Sequence, residues 1–324
     1  MTELQKKVFL EKYQPLYFKD FDEENEVAKI LQTLIKMDNL NILLIGDISS
    51  GKTTMLKSLI REYYKDYSPK DYKDNVLYIN SLKEQGINYY RSDVKTFCQT
   101  CSIIKNKKKI VVLDDIDLIN EQSQHVFRNC IDKFSYNVHF ISSCVNIQKV
   151  IETIQSRFTI IKINPLSTQN IIKIIEKIKI NENITIDKDA QEFVINISNK
   201  SIKLIINYME KFKLIEEKIT LNIASQMCTN ISFVTFDYYT KYIKNNNYQD
   251  AITVVYEIYD SGYSVMDILD NYFLYIKNTY CLSEDERYKI IPIICKYISI
   301  FHTVHEDEIE LALFTNNLIK TIHV

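Results

Sequence analysis

The stretch that decides the fold is Gly46-Asp47-Ile48-Ser49-Ser50-Gly51-Lys52-Thr53-Thr54. It matches the phosphate-binding loop pattern G-x-x-x-x-G-K-[ST] at every fixed position. An apolar run at residues 41–45 precedes it and predicts a buried strand, and residues 55–60 have the apolar spacing of a helix. Strand, loop and helix in this order are the context that the motif requires. The sequence therefore predicts a nucleotide-binding loop at this position.

Glycine is scarce in this chain, which makes the match informative. The chain has 4 Gly in 324 residues. Two Gly at the required spacing, followed by Lys and Thr, would arise by chance in fewer than about one chain in a thousand of this composition. Backbone N–H groups and the helix dipole at such a loop attract an anion. Lys52 can reach the β- and γ-phosphates and the Thr53 hydroxyl can bind Mg²⁺, so ATP and Mg²⁺ are the expected cofactors.

A second apolar run, at residues 110–113, ends in the carboxylates Asp114 and Asp115. In a protein with a phosphate loop, an Asp at the end of a strand close to the phosphates is the expected Mg²⁺ element. Asp114 is the predicted metal-side carboxylate. Asp115 is the candidate that orients or deprotonates the attacking water.

Five short apolar runs alternate with helical patterns over the first half of the chain. They cover residues 41–45, 76–79, 110–114, 138–142 and 159–163. The alternation predicts a parallel α/β sheet with helices on both faces, and such sheets bind ligands at the carboxyl ends of their strands. Beyond Pro165 the strand pattern stops and helical periodicity remains.

Length, charge and cysteine content limit the number of domains and the kinds of protein that this sequence can encode. The 324 residues suffice for two or three domains, and the formal net charge of −2 requires any nucleic-acid contact to come from a local basic face. No apolar run approaches the ~18 residues of a membrane helix, and no signal-peptide pattern is found. Seven scattered Cys predict a soluble intracellular protein without disulfides. Cys98-Gln-Thr-Cys101 has no second pair at zinc-site spacing, so half-buried small side chains are the expected interpretation.

The chain has two short basic stretches after the phosphate loop. A helix from about Asn88 would place Arg91 and Lys95 four residues apart on one face, which suits a phosphate backbone. The spacing alone leaves a solvated helix face as the alternative. Residues 105–109 are expected to form a solvated turn.

Five stretches together resemble the small subunits of clamp loaders, the replication factor C group of the AAA+ ATPases. They are residues 11–15 (EKYQP), the phosphate loop, residues 86–95, residues 114–117 and the pair Ser156-Arg157. Residues 186–207 are similar to the family's lid domain, and residues 260–267 to part of its collar. The resemblance implies an α/β AAA+ module at residues 1–165, an all-α lid domain at 166–226 and an all-α collar domain at 227–324.

The resemblance also implies roles for individual residues. Tyr13 and Pro15 should lie along the adenine, and Arg157 should act as an arginine finger in the neighbouring subunit's ATP site. Arg91 and Lys95 fall where the family holds the duplex backbone. The implied function is ATP-driven loading of a sliding clamp on primer–template DNA during DNA replication. The implied partners are the clamp, the DNA and the other subunits of a heteropentamer, in a nucleus or a cytoplasmic replication compartment.

Three positions depart from the family pattern. Asp115 replaces the second residue of D-E-A-D, Val145 aligns with a sensor asparagine, and Lys203 stands in for a lid arginine that contacts nucleotide. The shorter carboxylate places the base roughly 1 Å too far away, and such misplacement can cost ~10²-fold in rate. A lysine offers a point charge where arginine offers a fork. These departures predict a subunit that binds ATP, hydrolyses it slowly and supplies Arg157 to a neighbour.

Two alternatives stay open at this point. One is a structural ATP-binding subunit of the loader with little hydrolysis of its own. The other is a different AAA+ DNA-remodelling ATPase, such as an origin-binding or branch-migration machine, which should carry a winged-helix domain. The sequence leaves open the position in the ring, homo- versus hetero-oligomeric assembly and the clamp-contacting residues, for which residues 97–104 are a guess. The A/T-skewed composition would suit a large DNA virus.

Overall fold

The computed structural model describes residues 7–21, 26–81, 87–215, 217–229, 231–279, 281–301 and 304–323. The chain divides into two compact units, residues 1–170 and 171–324. Gly86, which belongs to one of the family-like stretches, lies outside the described residues.

The first unit is built on a five-stranded parallel sheet. Its strands are β1 (Ile42–Ile45), β2 (Val76–Asn80), β3 (Lys109–Asp114), β4 (Val138–Cys144) and β5 (Thr159–Lys162). The strand order is β2-β3-β4-β1-β5, and every neighbouring pair is parallel. The predicted sheet is confirmed, and each strand begins and ends within two residues of its apolar run. Because both faces are covered, the central strands β1, β3 and β4 are buried over nearly their whole length, and β1 is continuously apolar.

Helices cover the two faces of this sheet. They are α1 (Phe9–Lys12), α2 (Glu26–Lys36), α3 (Lys52–Tyr63), α4 (Ile87–Arg91), α5 (Asp93–Gln99), α6 (Glu121–Phe134) and α7 (Glu152–Gln155). Ile42 and Leu44 pack with α2 and α3 on one face, while Leu43 packs with α4, α5 and α6 on the other. The alternation follows from the two-residue period of a strand. It leaves the carboxyl ends of the strands open to a ligand.

Residues 87–99 form two short helices where the sequence predicted one. Ser92 lies at the junction with φ −102° and ψ −70°. Its hydroxyl donates to the Asn88 carbonyl at 2.7 Å, which competes with regular helical geometry. Arg91 ends α4 and Lys95 lies in α5, and both side chains are exposed. The predicted basic face is therefore split between two helices.

The second unit is helical throughout its described length. It contains the main part of α8 (Thr168–Glu182), then α9 (Lys188–Ile197), α10 (Ile202–Lys213), α11 (Leu221–Met227), α12 (Phe233–Lys244), α13 (Tyr248–Asp260), α14 (Val265–Asn278), α15 (Glu284–Phe301) and α16 (Ile309–Ile322). An isolated bridge between Ile186 and Ile219 is the only β-pairing in its described part. Ser264 caps the start of α14, because its hydroxyl accepts the Asp267 N–H at 3.0 Å.

The limits between lid and collar remain a prediction. Helix α9, from the expected lid, packs against both α11 and α14. Among the described residues, none of the helices combines the length and the apolarity that a membrane span needs.

Candidate nucleotide-binding site

The structure explains why glycine occupies both fixed positions of the phosphate loop. Gly51, just before α3, has φ +92°, a left-handed conformation that glycine adopts without strain. Gly46 has a steric reason, because a Cβ there would lie 2.7 Å from Ser50 Oγ and 2.8 Å from the Ile163 carbonyl oxygen. The loop thus approaches the end of β5 too closely for any side chain at position 46.

Lys52 lies inside the curve of the loop. Its Nζ donates to the carbonyl oxygens of Gly46 at 2.8 Å and Asp47 at 2.9 Å, and the residue is 6% exposed. The first turn of α3 begins here, contains no acidic residue and leaves backbone N–H groups without helical partners. A buried ammonium beside these donors makes the loop an anion-binding concavity.

Asp114 lies beside the start of α3, where a magnesium ion is expected. The Thr53 hydroxyl donates to Asp114 Oδ2 at 2.8 Å, and the Ser143 hydroxyl donates to Asp114 Oδ1. Ser81 Oγ donates to the backbone oxygen of Asp114 at 2.6 Å. Thr53 and Asp114 open onto a cleft of about 240 Å³. Hard oxygen donors beside open space fit Mg²⁺.

The donor set indicates how such an ion would be held. In the described part of the chain, no three His, Cys, Asp or Glu side chains converge as metal ligands. One hydroxyl and one carboxylate are a sufficient protein contribution for Mg²⁺, which keeps water and phosphate oxygens as its other ligands. Thr53 and Asp114 are therefore the residues that would hold it.

Asp115 occupies the turn immediately after β3. Its φ of +55° places it in the left-handed region, and its N–H donates to Ser143 Oγ at 3.0 Å. Burial and the neighbouring Asp114 carboxylate raise the pKa of the Asp115 carboxyl. A raised pKa makes a carboxylate a stronger proton acceptor, as a catalytic base requires.

The loop after β4 is held by Asp117. Its Oδ2 accepts the N–H groups of Val145 at 3.1 Å and Asn146 at 3.0 Å. The Asn146 side chain accepts the Gln148 N–H at 2.9 Å, so its oxygen is used locally. Val145 is 40% exposed and offers no polar group to a phosphate. The departure at position 145 is thus not compensated by its neighbour's carbonyl oxygen.

The segment before α2 lies along α3. The Gln14 side chain donates to Thr54 Oγ1 at 3.3 Å, and the Pro15 carbonyl accepts the Ser58 hydroxyl at 3.2 Å. The Tyr13 ring packs edge-on against Phe9. These contacts bring Tyr13 and Pro15 to the helix that begins at the phosphate loop, and their adenine-binding role stays a prediction.

Arg157 lies at the opposite edge of the sheet from the loop. It precedes β5, and Thr159 pairs with Ile42 at the amino end of β1. The loop follows the carboxyl end of β1, so one strand length of about 13 Å separates the two edges. The structure therefore brings Lys52, Thr53, Asp114 and Asp115 together and leaves Arg157 outside that group.

Lys203 belongs to the second unit. It is exposed in the first turn of α10, and its role toward nucleotide stays a prediction.

A buried glutamine next to the site was not among the predicted residues. Gln124 of α6 is 1% exposed, and its Nε2 donates to the Lys149 carbonyl at 2.9 Å and the Ile119 carbonyl at 3.2 Å. Its Oε1 accepts the Ile151 N–H at 2.9 Å. Gln124 thereby joins the turn after β3 to the chain before α7. The sequence signal was one glutamine on the apolar side of α6.

The fold and the loop define the class of protein. Residues 42–166 match the family described as "ATPase family associated with various cellular activities (AAA)", and residues 235–310 match the "Replication factor C C-terminal domain". The first unit therefore carries an AAA-type domain, and the C-terminal part carries a replication factor C C-terminal domain.

Curated relatives narrow this class. Replication factor C small subunit 2 of Pyrobaculum islandicum is 29% identical over 263 residues, 81% of each chain. A replication factor C small-subunit protein of Acanthamoeba polyphaga mimivirus is 26% identical over 287 residues, 88% of each chain. The chain is therefore similar to replication factor C small subunits over four fifths or more of its length.

A solved structure supports the fold alone. It is a DNA polymerase III gamma subunit-related protein of Thermotoga maritima, which is 14% identical with a TM-score of 0.53. The match covers 90% of this chain and 99% of that one.

Proposed function

We propose that this chain is an ATP-binding small subunit of a DNA clamp loader. With its partner subunits it would bind ATP and Mg²⁺, help to open a sliding clamp and place the clamp on primer–template DNA. Mg²⁺ would supply neutralisation of the charge that develops on the phosphates. Lys52 would bind the β- and γ-phosphates, and Asp115 would orient the attacking water.

One observation carries the proposal: the residues needed for hydrolysis are divided between the two edges of the sheet. Lys52, Thr53 and Asp114 gather at the carboxyl edge, whereas Arg157 lies at the amino edge. At the amino edge Arg157 is about one strand length from this group, so it could act on a neighbour's ATP, as in ring-shaped ATPases that use a finger in trans. The replication factor C domain at residues 235–310 favours a clamp loader over a branch-migration or origin-binding ATPase.

Co-purification tests the assignment. The chain would be expressed with candidate loader subunits, and binding to a sliding clamp and to primer–template DNA would be measured with and without ATP. We expect a stable subunit complex that binds the clamp only with ATP. Arg91→Ala and Lys95→Ala should weaken binding to DNA and make it less salt-dependent, because each variant removes a phosphate contact. Failure to associate with any loader subunit would contradict the proposal.

We also propose that this chain hydrolyses its own ATP slowly. Asp115 is one methylene shorter than the glutamate of the family pattern, Val145 has no polar group, and Lys203 replaces an arginine. An assembled complex that carries Lys52→Ala in this chain should keep most of its turnover, because the other sites do the work. Loss of all turnover, with ATP still bound at the other sites, would show that this site is not passive.

Asp115→Glu is the gain-of-function test. The longer side chain should bring the carboxylate within reach of the attacking water and raise single-turnover hydrolysis at this site by about tenfold. Asp115→Asn is the matched control, since it keeps the size but removes the base. An unchanged rate in Asp115→Glu would mean that the reach of the carboxylate does not limit hydrolysis.

A further inference from the structure

Arg157 is bound by a carboxylate of its own chain. Its Nε and Nη2 donate to the two oxygens of Asp132 in α6, with Nη2 at 3.2 Å from Oδ2. Its Nη1 donates to the Thr153 carbonyl at 2.5 Å and lies 3.4 Å from Ser156 Oγ. The contact with Asp132 uses two parallel N–H groups, which fixes the plane of the guanidinium as well as its position.

These contacts leave one end of the guanidinium available. Nη2 has a second N–H that no contact within the described part of the chain uses. The Arg157 side chain is 33% exposed. An arginine without such anchors would sample many rotamers and would have to be ordered at each encounter with a phosphate. Asp132 therefore restricts Arg157 in advance, while the side chain stays partly exposed.

A second arginine makes the carboxylate necessary. Arg128 precedes Asp132 by one helical turn, and its Nε lies 3.5 Å from Asp132 Oδ2. Asp132 thus lies between two guanidinium groups. Without the charge of Asp132, the guanidinium groups of Arg128 and Arg157 would repel each other.

We propose that Asp132 is a positioning residue for Arg157, holding the guanidinium in the orientation that reaches a phosphate of the neighbouring subunit. The proposal rests on the finger role of Arg157 in the proposed function. The opposite role for Asp132 predicts the opposite change in the rate of ATP hydrolysis. If Asp132 instead withheld the arginine from the neighbour, its removal would increase hydrolysis.

The test uses the assembled complex with clamp and primer–template DNA. Steady-state ATPase would be measured for Asp132→Ala, Asp132→Glu, Arg157→Ala and the double variant Asp132→Ala/Arg157→Ala. We expect Asp132→Ala to lower the Arg157-dependent part of kcat by about tenfold with an unchanged KM for ATP, because a misplaced guanidinium stabilises the transition state poorly. Asp132→Glu should restore part of the loss, and Asp132→Ala should add nothing to Arg157→Ala.

Glu152→Ala is the matched control. Glu152 is an exposed acid on α7, next to Thr153, and no described contact joins it to Arg157. Its removal changes the local charge by the same amount and should leave kcat unchanged. An equal loss in Glu152→Ala would assign the effect to general charge and overturn the positioning role.

The remaining outcomes separate the two proposals. Loss of turnover in Arg157→Ala but not in Asp132→Ala, or a rise in Asp132→Ala, would overturn the positioning role alone. An equal loss from Asp132→Ala in the Arg157→Ala background would do the same, because the effect would not pass through the arginine. Unchanged turnover in Arg157→Ala would overturn the finger role, and the positioning role with it.

The isolated chain offers a direct readout of the contact. It has five Arg, so their Nε–H signals can be resolved by NMR. In Asp132→Asn, the Arg157 Nε–H signal should shift and exchange faster with water, while the signals of Arg61, Arg91 and Arg287 stay in place. An unmoved Arg157 signal would show that Asp132 does not orient the guanidinium in solution.

Discussion

The carboxyl edge and the amino edge of the sheet both gather ionisable side chains. At the amino edge, Asp38, Tyr63, Lys108 and His139 form what we name the amino-edge cluster. Asp38 binds Lys108 at 2.9 Å and His139 Nε2 at 3.0 Å, and it accepts the Tyr63 hydroxyl at 3.2 Å. Each charge in this cluster has an opposite or polar partner from the chain itself.

The carboxyl edge is different, because its charges are not neutralised by one another. Within the described part of the chain, neither Lys52 nor Asp114 nor Asp115 forms a side-chain ion pair. Lys52 binds backbone carbonyls, and burial together with the adjacent Asp114 carboxylate raises the pKa of Asp115. Compensated charges stabilise the fold. Charges without an opposite partner in the chain favour the binding of a phosphate and a cation, and such charges are typical of a functional site.

The largest expected effect comes from removing the charge at the carboxyl edge. Lys52→Ala should lower ATP affinity by on the order of 100-fold, because a charge-assisted contact to the phosphates is lost. Titration with a fluorescent ATP analogue measures it. Lys65→Ala, an exposed lysine beyond the far end of α3, is the control and should bind ATP normally. Equal binding by Lys52→Ala and the parent chain would remove the distinction between the two edges.

The second prediction concerns acid sensitivity at the amino edge. Burial lowers the pKa of His139 to about 4, against the opposing hydrogen bond and charge of Asp38. A depressed histidine pKa stabilises the fold above the unfolded value of ~6.5, and that stability is lost as the pH falls from ~6.5 to ~4. Between pH 7.5 and pH 5, urea unfolding should show a loss of about 2 kcal/mol from this group.

A variant isolates the contribution of His139 from that of the carboxylates. His139→Gln cannot titrate, so its unfolding free energy should change less between pH 7.5 and pH 5 than that of the parent chain. Equal pH dependence in both chains would mean that His139 is not buried in the neutral form. ATP affinity at pH 7.5 should be the same in both.

The smallest effect is expected from Asp38→Asn. Burial alone would raise the Asp38 pKa, but hydrogen bonds from Lys108 and His139 outweigh it and lower the pKa. The φ of +51° at Asp38 suits Asn, so the backbone is preserved. Loss of the charge should cost about 1 kcal/mol of unfolding free energy and leave ATP affinity unchanged. Asp74→Asn, at an exposed acid, is the control. A change in ATP affinity in Asp38→Asn would show that the amino edge of the sheet influences nucleotide binding at the carboxyl edge.

Local signals in the sequence were sufficient for most of the first unit. The apolar runs predicted all five strands. The start of α6 is also set locally, because the Asn120 side chain accepts the Ser123 N–H at 2.8 Å and caps the helix. The residues around the phosphate loop were found because one motif holds them within nine positions. Asp114 was found because a strand end in such a fold has a fixed place relative to that loop.

Contacts between distant residues were not predictable in the same way. Residues 105–109 were expected to be solvated, but Lys109 is buried with its Nζ over the Phe97 ring at 4.4 Å, and Lys107 is placed similarly over Tyr63. Asp38 and His139 are 101 positions apart, so nothing in either neighbourhood indicates the pair. Asp132 was not predicted because its role depends on a contact with Arg157, which lies 25 positions away in the sequence.

The close approach of Gly46 to Ile163 has a mechanical consequence. The loop cannot shift without displacing the end of β5, since there is no room even for one methyl group between them. The other end of β5 begins two residues after Arg157. A single strand of four residues therefore connects the ATP site of a subunit with the arginine that it would supply to its neighbour. In a ring of such subunits, each nucleotide would be connected to the next through one such strand, which is about 13 Å long.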